Sequence, residues 1–170
     1  MTETLKDGGV LQRVTGVDTV VRVTPTIDTA AYAQNDIFFA TTEVPGALLV
    51  AGGTAWWSHL RMWDKSLQNR AVRIMLLRSN QSVGSANAAE AITDAQGLEI
   101  VAEVDIAAGD YVDYANFSVV QKSVSDLDSP IIKPSSGTSF YTGGKYTDAT
   151  GDTYAASDIV LEFGFAPGVS

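Results

Sequence analysis

The residues with the most chemical potential sit together in "TAWWSHLRMWD", Thr54 to Asp64. This stretch holds all three tryptophans and the only histidine of the chain. The expected role of a lone histidine beside tryptophan and arginine is structural or interfacial. A histidine-based triad needs a positioned nucleophile, and no G-x-S-x-G turn occurs. One histidine and no cysteine exclude metal sites built on imidazole or thiolate, and they exclude disulfides and a cysteine nucleophile. Oxygen-ligand sites remain open. "TDATGDTYAASD" offers Asp148, Asp152 and Asp158 around Gly151, but it departs from the D-x-[DN]-x-[DN]-G pattern of a calcium loop. Turn chemistry, with Asp and Gly setting the bend, is the expected role there and in "SDLDS" with Asp126 and Asp128. Twenty acidic residues allow many carboxylate pairs, and nothing singles one out for glycoside hydrolysis. Neither a Walker loop nor G-x-G-x-x-G is present. The expectation is therefore no enzyme and no cofactor, with the indoles serving contact or stacking.

An indole-rich stretch needs elements to present it, and the elements read as strands. In "DTVVRVTPTID", Val21, Val23 and Ile27 share one face while Arg22, Thr24, Thr26 and Asp28 share the other. Pro25 marks this as an edge strand, because proline cannot donate to a ladder. "GLEIVAEVDI" puts Leu98, Ile100, Ala102, Val104 and Ile106 on one face. "SDIVLEFGFA" puts Ile159, Leu161, Phe163 and Phe165 inward and Glu162 outward. Further strands are predicted at 36–40, 47–50, 54–63, 71–78, 111–121 and 138–141. "SANAAEAITDAQG" is Ala-rich and predicts one short helix, with Asn87 as N-cap and Gly97 as stop. Residues 122–136 read as a long surface connection. The predicted class is all-β, an antiparallel β-sandwich of jelly-roll-like or Ig-like type, with at most one short helix. The 170 residues suit a lead-in arm over 1–17 and one sandwich domain over 18–170.

Strand geometry then divides the tryptophans. Successive side chains point to opposite faces, so Trp56 and Trp57 diverge in a regular strand. Trp56, Ser58, Leu60 and Met62 make the better core face. Trp57, His59, Arg61 and Trp63 are left outside, spread over about 20 Å. In "RAVRIMLLR", Val72, Ile74 and Leu76 are inward, and the opposite face, with Ala71, Arg73, Met75 and Leu77, is mixed. Apolar groups on both faces call for a cover on the outer side. Three covers fit: the N-terminal arm or Ala-rich segment of the same chain, a partner subunit, or a stacked ligand. The candidate subunit-contact face is Trp57, His59, Arg61 and Trp63, with Arg73 and Met75 beside it.

The net charge is −9, which opposes a phosphate backbone, so no nucleic-acid partner is expected. "MTETLKDGG" is polar where a signal peptide would be apolar, and no apolar run has the length of a membrane span; no membrane partner is expected.

The order of features resembles small virion proteins of tailed bacteriophages, of the β-sandwich head-decoration or accessory structural type. The resemblance runs over 18–165. It lies in "VVRVTPTIDTAAYAQNDIF", in "HLRMWDKSLQNRAVRIMLLRS", in "SANAAEAITDAQ", and in "FYTGGKYTDAT" ahead of "SDIVLEFGF". It implies a non-enzymatic structural protein of a phage particle, a capsid decoration or stabilising protein located in the virion and assembled in the host cytoplasm. Its partners would be copies of itself, as a homo-oligomer, and the major capsid protein or another virion protein. A trimer follows from the analogy with threefold lattice positions, and from no residue of the chain. A receptor- or glycan-binding module of a tail or adhesin, using the same tryptophans as a stacking platform, is the alternative.

Overall fold

A computed structural model describes residues 2–4, 10–12, 19–123 and 131–167, the first two segments as backbone only. The strands are β1 (Thr2–Thr4), β2 (Val10–Gln12), β3 (Thr19–Val23), β4 (Ile37–Val44), β5 (Ala55–Asp64), β6 (Val72–Leu77), β7 (Ile100–Ile106), β8 (Val112–Asp113), β9 (Ser118–Ser123), β10 (Ile131–Ile132), β11 (Phe140–Tyr146) and β12 (Ile159–Pro167). β1 and β2 pair with each other. The remaining ten form two antiparallel sheets, as predicted for a β-sandwich. Sheet I has the order β3-β12-β5-β9-β8, with β10 also paired to β5. Sheet II has the order β4-β11-β6-β7. The expected arm over 1–17 falls mostly outside the described residues, as do Asp126 and Asp128.

Alternating apolar residues from both sheets meet in one core. Sheet I contributes Val21, Val23, Trp57, Leu60, Met62, Leu161, Phe163 and Phe165; sheet II contributes Phe39, Val72, Ile74, Leu76, Val104, Ile106, Phe140 and Tyr146. β3 is an edge strand, as Pro25 predicts. β12 is an interior strand of sheet I, between β3 and β5, and its Ile159, Leu161, Phe163 and Phe165 are inward as read from the sequence.

Several expectations need correction. β5 and β6 are not neighbours; they lie in opposite sheets. The connection wraps around the carboxylate of Asp64, which is buried. Asp64 Oδ1 accepts from the Ser66 amide (2.9 Å) and hydroxyl, and Oδ2 from the amides of Gln68 (2.9 Å) and Asn69 (3.0 Å). With every lone pair engaged, a carboxylate can be buried and can hold a turn that crosses the sandwich. Residues 47–50 form a loop, with Ala47 and Leu48 buried and Leu49 and Val50 exposed. The helix is one turn, Asp94–Gly97. Its N-cap is Thr93, which closes a capping box with Gln96. Asn87 has φ 58° and sits in a left-handed turn. From there the Ala-rich segment runs extended beside β4, with Asn87 N–H donating to Ile37 O and Ile37 N–H to Ala88 O, each at 2.8 Å. β7 carries a bulge at Val101, since Leu76 pairs with Ala102 and Leu77 with Ile100. The bulge turns Ile100 outward against Leu77 while Val104 and Ile106 remain in the core, and Leu98 is exposed. The predicted strand 111–121 breaks at a turn over 114–117, where Tyr114 N–H donates to Phe117 O (2.8 Å).

The packing of sheet II makes one prediction and the hydrogen-bonded carboxylates make another. A Cβ built on Gly144 would stand 2.3 Å from Cε1 of Phe39, which is fully buried. Gly144→Ala should destabilise the fold by about 1–3 kcal/mol, read from urea denaturation; an unchanged midpoint would contradict this packing. The carboxyls of Asp105, Asp110 and Asp148 are held below their usual range, chiefly by hydrogen bonds from Arg73, Lys122 and the Thr150 amide respectively. Such groups contribute stability that is present above about pH 4 and lost as pH falls through their lowered folded values. The thermal midpoint should therefore be lower at pH 3 than at pH 7. Thermal melts at the two pH values test this, and a higher midpoint at pH 3 would contradict it.

Candidate functional site

The outer face of sheet I is the surface that the Trp-rich strand builds, but with a different membership from the one expected. On β12 the step from Gly164 to Phe165 matches the step from His59 to Trp57 on β5, so Ser58 is an extra residue. A bulge of this kind reverses facing within one strand. Ala55 and Trp57 are inward before it, and Leu60, Met62 and Asp64 are inward after it. Trp57 is thus a core residue, with 0% exposure, packed 5.8 Å from the Phe163 ring, while Trp56 is on the outside. Trp57 Nε1 donates to the His59 carbonyl at 3.0 Å. A buried indole N–H needs an acceptor, and the bulge supplies one within the same strand.

Of the six candidate contact residues, His59, Arg61 and Trp63 share the outer face of sheet I. Trp57 does not, for the reason above. Arg73 and Met75 are on β6, on the outer face of the opposite sheet. Met75 is buried with Ile37, Leu77 and Val83, and Ile92 packs against that cluster; the chain's own 79–93 segment is the cover for this side. Arg73 hydrogen-bonds Asp105 through Nε (2.7 Å) and NH2 (2.9 Å).

Strand register arranges the outer face of sheet I in three rows. The first is Val20, Gly164, His59 and Ser123. A Cβ at Gly164 would lie 2.1 Å from His59 Cε1, so the glycine is what lets the imidazole lie down across β12. The second row is Arg22, Glu162, Arg61 and Gln121. Glu162 is 4% exposed. Its carboxylate takes Arg22 Nε at 2.6 Å, Arg61 NH1 at 3.4 Å and His59 Nε2 at 3.7 Å. Arg61 also donates through NH2 to Gln121 Oε1 at 2.6 Å. The third row is apolar: Val160, Trp63, Val119 and Val112. The guanidinium groups of Arg22 and Arg61 lie 5.3 and 5.6 Å from the Trp63 ring centroid, within cation–π range. Tyr114 and Phe117 stack on each other at 5.0 Å beside this row.

Trp63 and Phe117 are shared by two grooves. One, of about 400 Å³, is lined by Arg22, Trp63, Lys65, Asn116, Phe117 and Val160. The other, of about 620 Å³, adds Arg61, Tyr114, Gln121 and Asp110 to the shared aromatics. Glu162, Arg22 and the Tyr114–Phe117 pair belong to this surface and escape a reading centred on the tryptophans. Alternation places Glu162 and Arg22 outward, but only strand order reveals that they flank Arg61. Asp148 and Asp158 do what turn chemistry predicts, accepting from the Thr150 and Ala155 amides, whereas Asp152 pairs with the distant Arg70.

The tryptophans should separate cleanly on substitution. Trp57→Ala should cost about 3–5 kcal/mol as a core cavity. Trp63→Ala should cost about 1–2 kcal/mol, the loss of two cation–π contacts. Urea unfolding of the two variants checks this, and equal losses would contradict the assigned faces.

Comparison with known proteins finds no family model, no curated protein and no solved structure that matches the chain.

Proposed function

We propose that this chain is a non-enzymatic structural protein of a bacteriophage particle, a capsid decoration or stabilising protein that acts through subunit contacts made by the outer face of sheet I. The observation that carries the reading is the apolar third row. Val112 and Tyr114 are 58% and 53% exposed beside Trp63, while Met75 and Leu77 on the outer side of sheet II are covered by Val83 and Ile92 of the 79–93 segment. Aromatic and arginine side chains in one exposed apolar patch are interface-type residues. Charge supports a head-to-tail contact over a twofold one. Arg22 and Arg61 share one carboxylate and Lys65 forms no ion pair among the described residues, so two such faces would repel. Closed threefold rings are built from head-to-tail contacts, in keeping with a trimer. A second reading, a glycan-binding module of a tail or adhesin, is favoured by the position of Trp63 between two grooves.

Quantitative co-sedimentation of the purified chain with phage heads stripped of their accessory proteins tests the proposal. The wild-type chain should bind at a fixed number of copies per shell, and Val112→Asp with Tyr114→Asp should reduce binding at least tenfold without changing the thermal midpoint. Wild-type binding that survives both substitutions, or none at all, would contradict it.

A further inference from the structure

We propose that the groove between Trp63 and Lys65 is a binding site for an acidic saccharide, a pyranose ring that bears a carboxylate. The inference goes beyond the shell-contact reading and gives the glycan reading a ligand class, and it rests on Trp63 serving as a stacking wall.

Three observations converge on it. The first is charge. The chain carries −9, yet this groove collects two cations with spare capacity. Arg22 donates only through Nε, to Glu162, so among the described residues its two terminal nitrogens have no partner. Its side chain is 66% exposed. Lys65 Nζ donates to the Ser157 carbonyl at 3.1 Å and meets no carboxylate among the described residues. The single acid beneath, Glu162, is already shared by Arg22, Arg61 and His59. An anion entering between Arg22 and Lys65 meets two donors and no free carboxylate among the groove's lining residues.

The second is shape and polarity. Trp63, Phe117 and Val160 give apolar walls, and Asn116 adds an amide with two donors and one acceptor. A pyranose has one face of C–H groups and a rim of hydroxyls; the walls suit the first and the amide the second. About 400 Å³ accommodates one or two sugar rings. The third is preorganisation. Phe117 is braced by its stack on Tyr114 and by the Tyr114–Phe117 backbone bond, and Trp63 is held by two guanidinium groups, so little ordering is left to binding.

Isothermal titration and saturation-transfer NMR with trigalacturonic acid, N-acetylneuraminic acid, maltotriose and inorganic phosphate test the site. At least one acidic sugar should bind, weaken at least threefold between 50 and 500 mM salt, and lose at least tenfold in affinity in Lys65→Met and in Trp63→Ala. Trp63→Phe should retain most of it. Maltotriose should bind at least tenfold more weakly. Equal binding of maltotriose would overturn the anionic class, equal competition by phosphate would overturn the saccharide, and no binding at millimolar concentration would overturn the site. Val112 lines only the other groove, so saccharide binding by Val112→Asp reports separately from the shell-contact reading.

Discussion

The membership of the two faces of β5 depends on one constraint, the reversal of facing at Ser58. Without it, β5 could bury the Leu60–Met62 side or the Trp57 side, but not both. With it, Trp57 joins Phe163, Phe165 and Phe140 in the core, and His59, Arg61 and Trp63 are delivered outward from the same strand. The indole N–H of Trp57 bonds the carbonyl of His59, so the side chain that the bulge turns inward also ties the bulged backbone. Packing and local hydrogen bonding therefore favour the same geometry, which is the consistency expected of a feature specified by sequence.

The outer face inherits its character from strand order. β12 occupies the position between β3 and β5, so a lone glutamate on β12 acquires an arginine on each side. A carboxylate 4% exposed would be costly alone; two guanidinium groups and an imidazole make it tolerable, and they fix both arginines against Trp63. The result is a polar row that orients an apolar one. A flat contact for a subunit and a groove for an acidic sugar ring draw on that same arrangement, the first through Val112 and Tyr114 and the second through Arg22 and Lys65.

The fold class was legible where alternation holds: β12 and β3 present the faces that their sequences predict. Two of the failures, on β5 and on β7, have a common origin. At Ser58 and at Val101 one extra residue shifts all that precedes it, and no local signal in "WWSH" or "EIVAE" marks the insertion. The Ala-rich segment has helical composition, but pairing with β4 outweighs propensity and leaves only Asp94–Gly97 helical. Arg73 and Met75 are not beside the β5 face; the expectation that they would be arises because a polar turn after a strand reads as joining neighbours. The buried carboxylate of Asp64 instead leads the chain into the other sheet. Half of the six candidate residues, His59, Arg61 and Trp63, lie together on the outer face of sheet I, since they follow the bulge and keep one register among themselves.

Tryptophan fluorescence of three variants, each retaining a single indole with the other two replaced by phenylalanine, examines the reversal directly. The account predicts that the variant retaining Trp57 emits furthest to the blue and resists acrylamide, while those retaining Trp56 or Trp63 are quenched readily. Trp57 quenched as readily as Trp63, with Trp56 protected, would mean that β5 runs without the bulge and that Trp57 lies on the outer face with His59, Arg61 and Trp63.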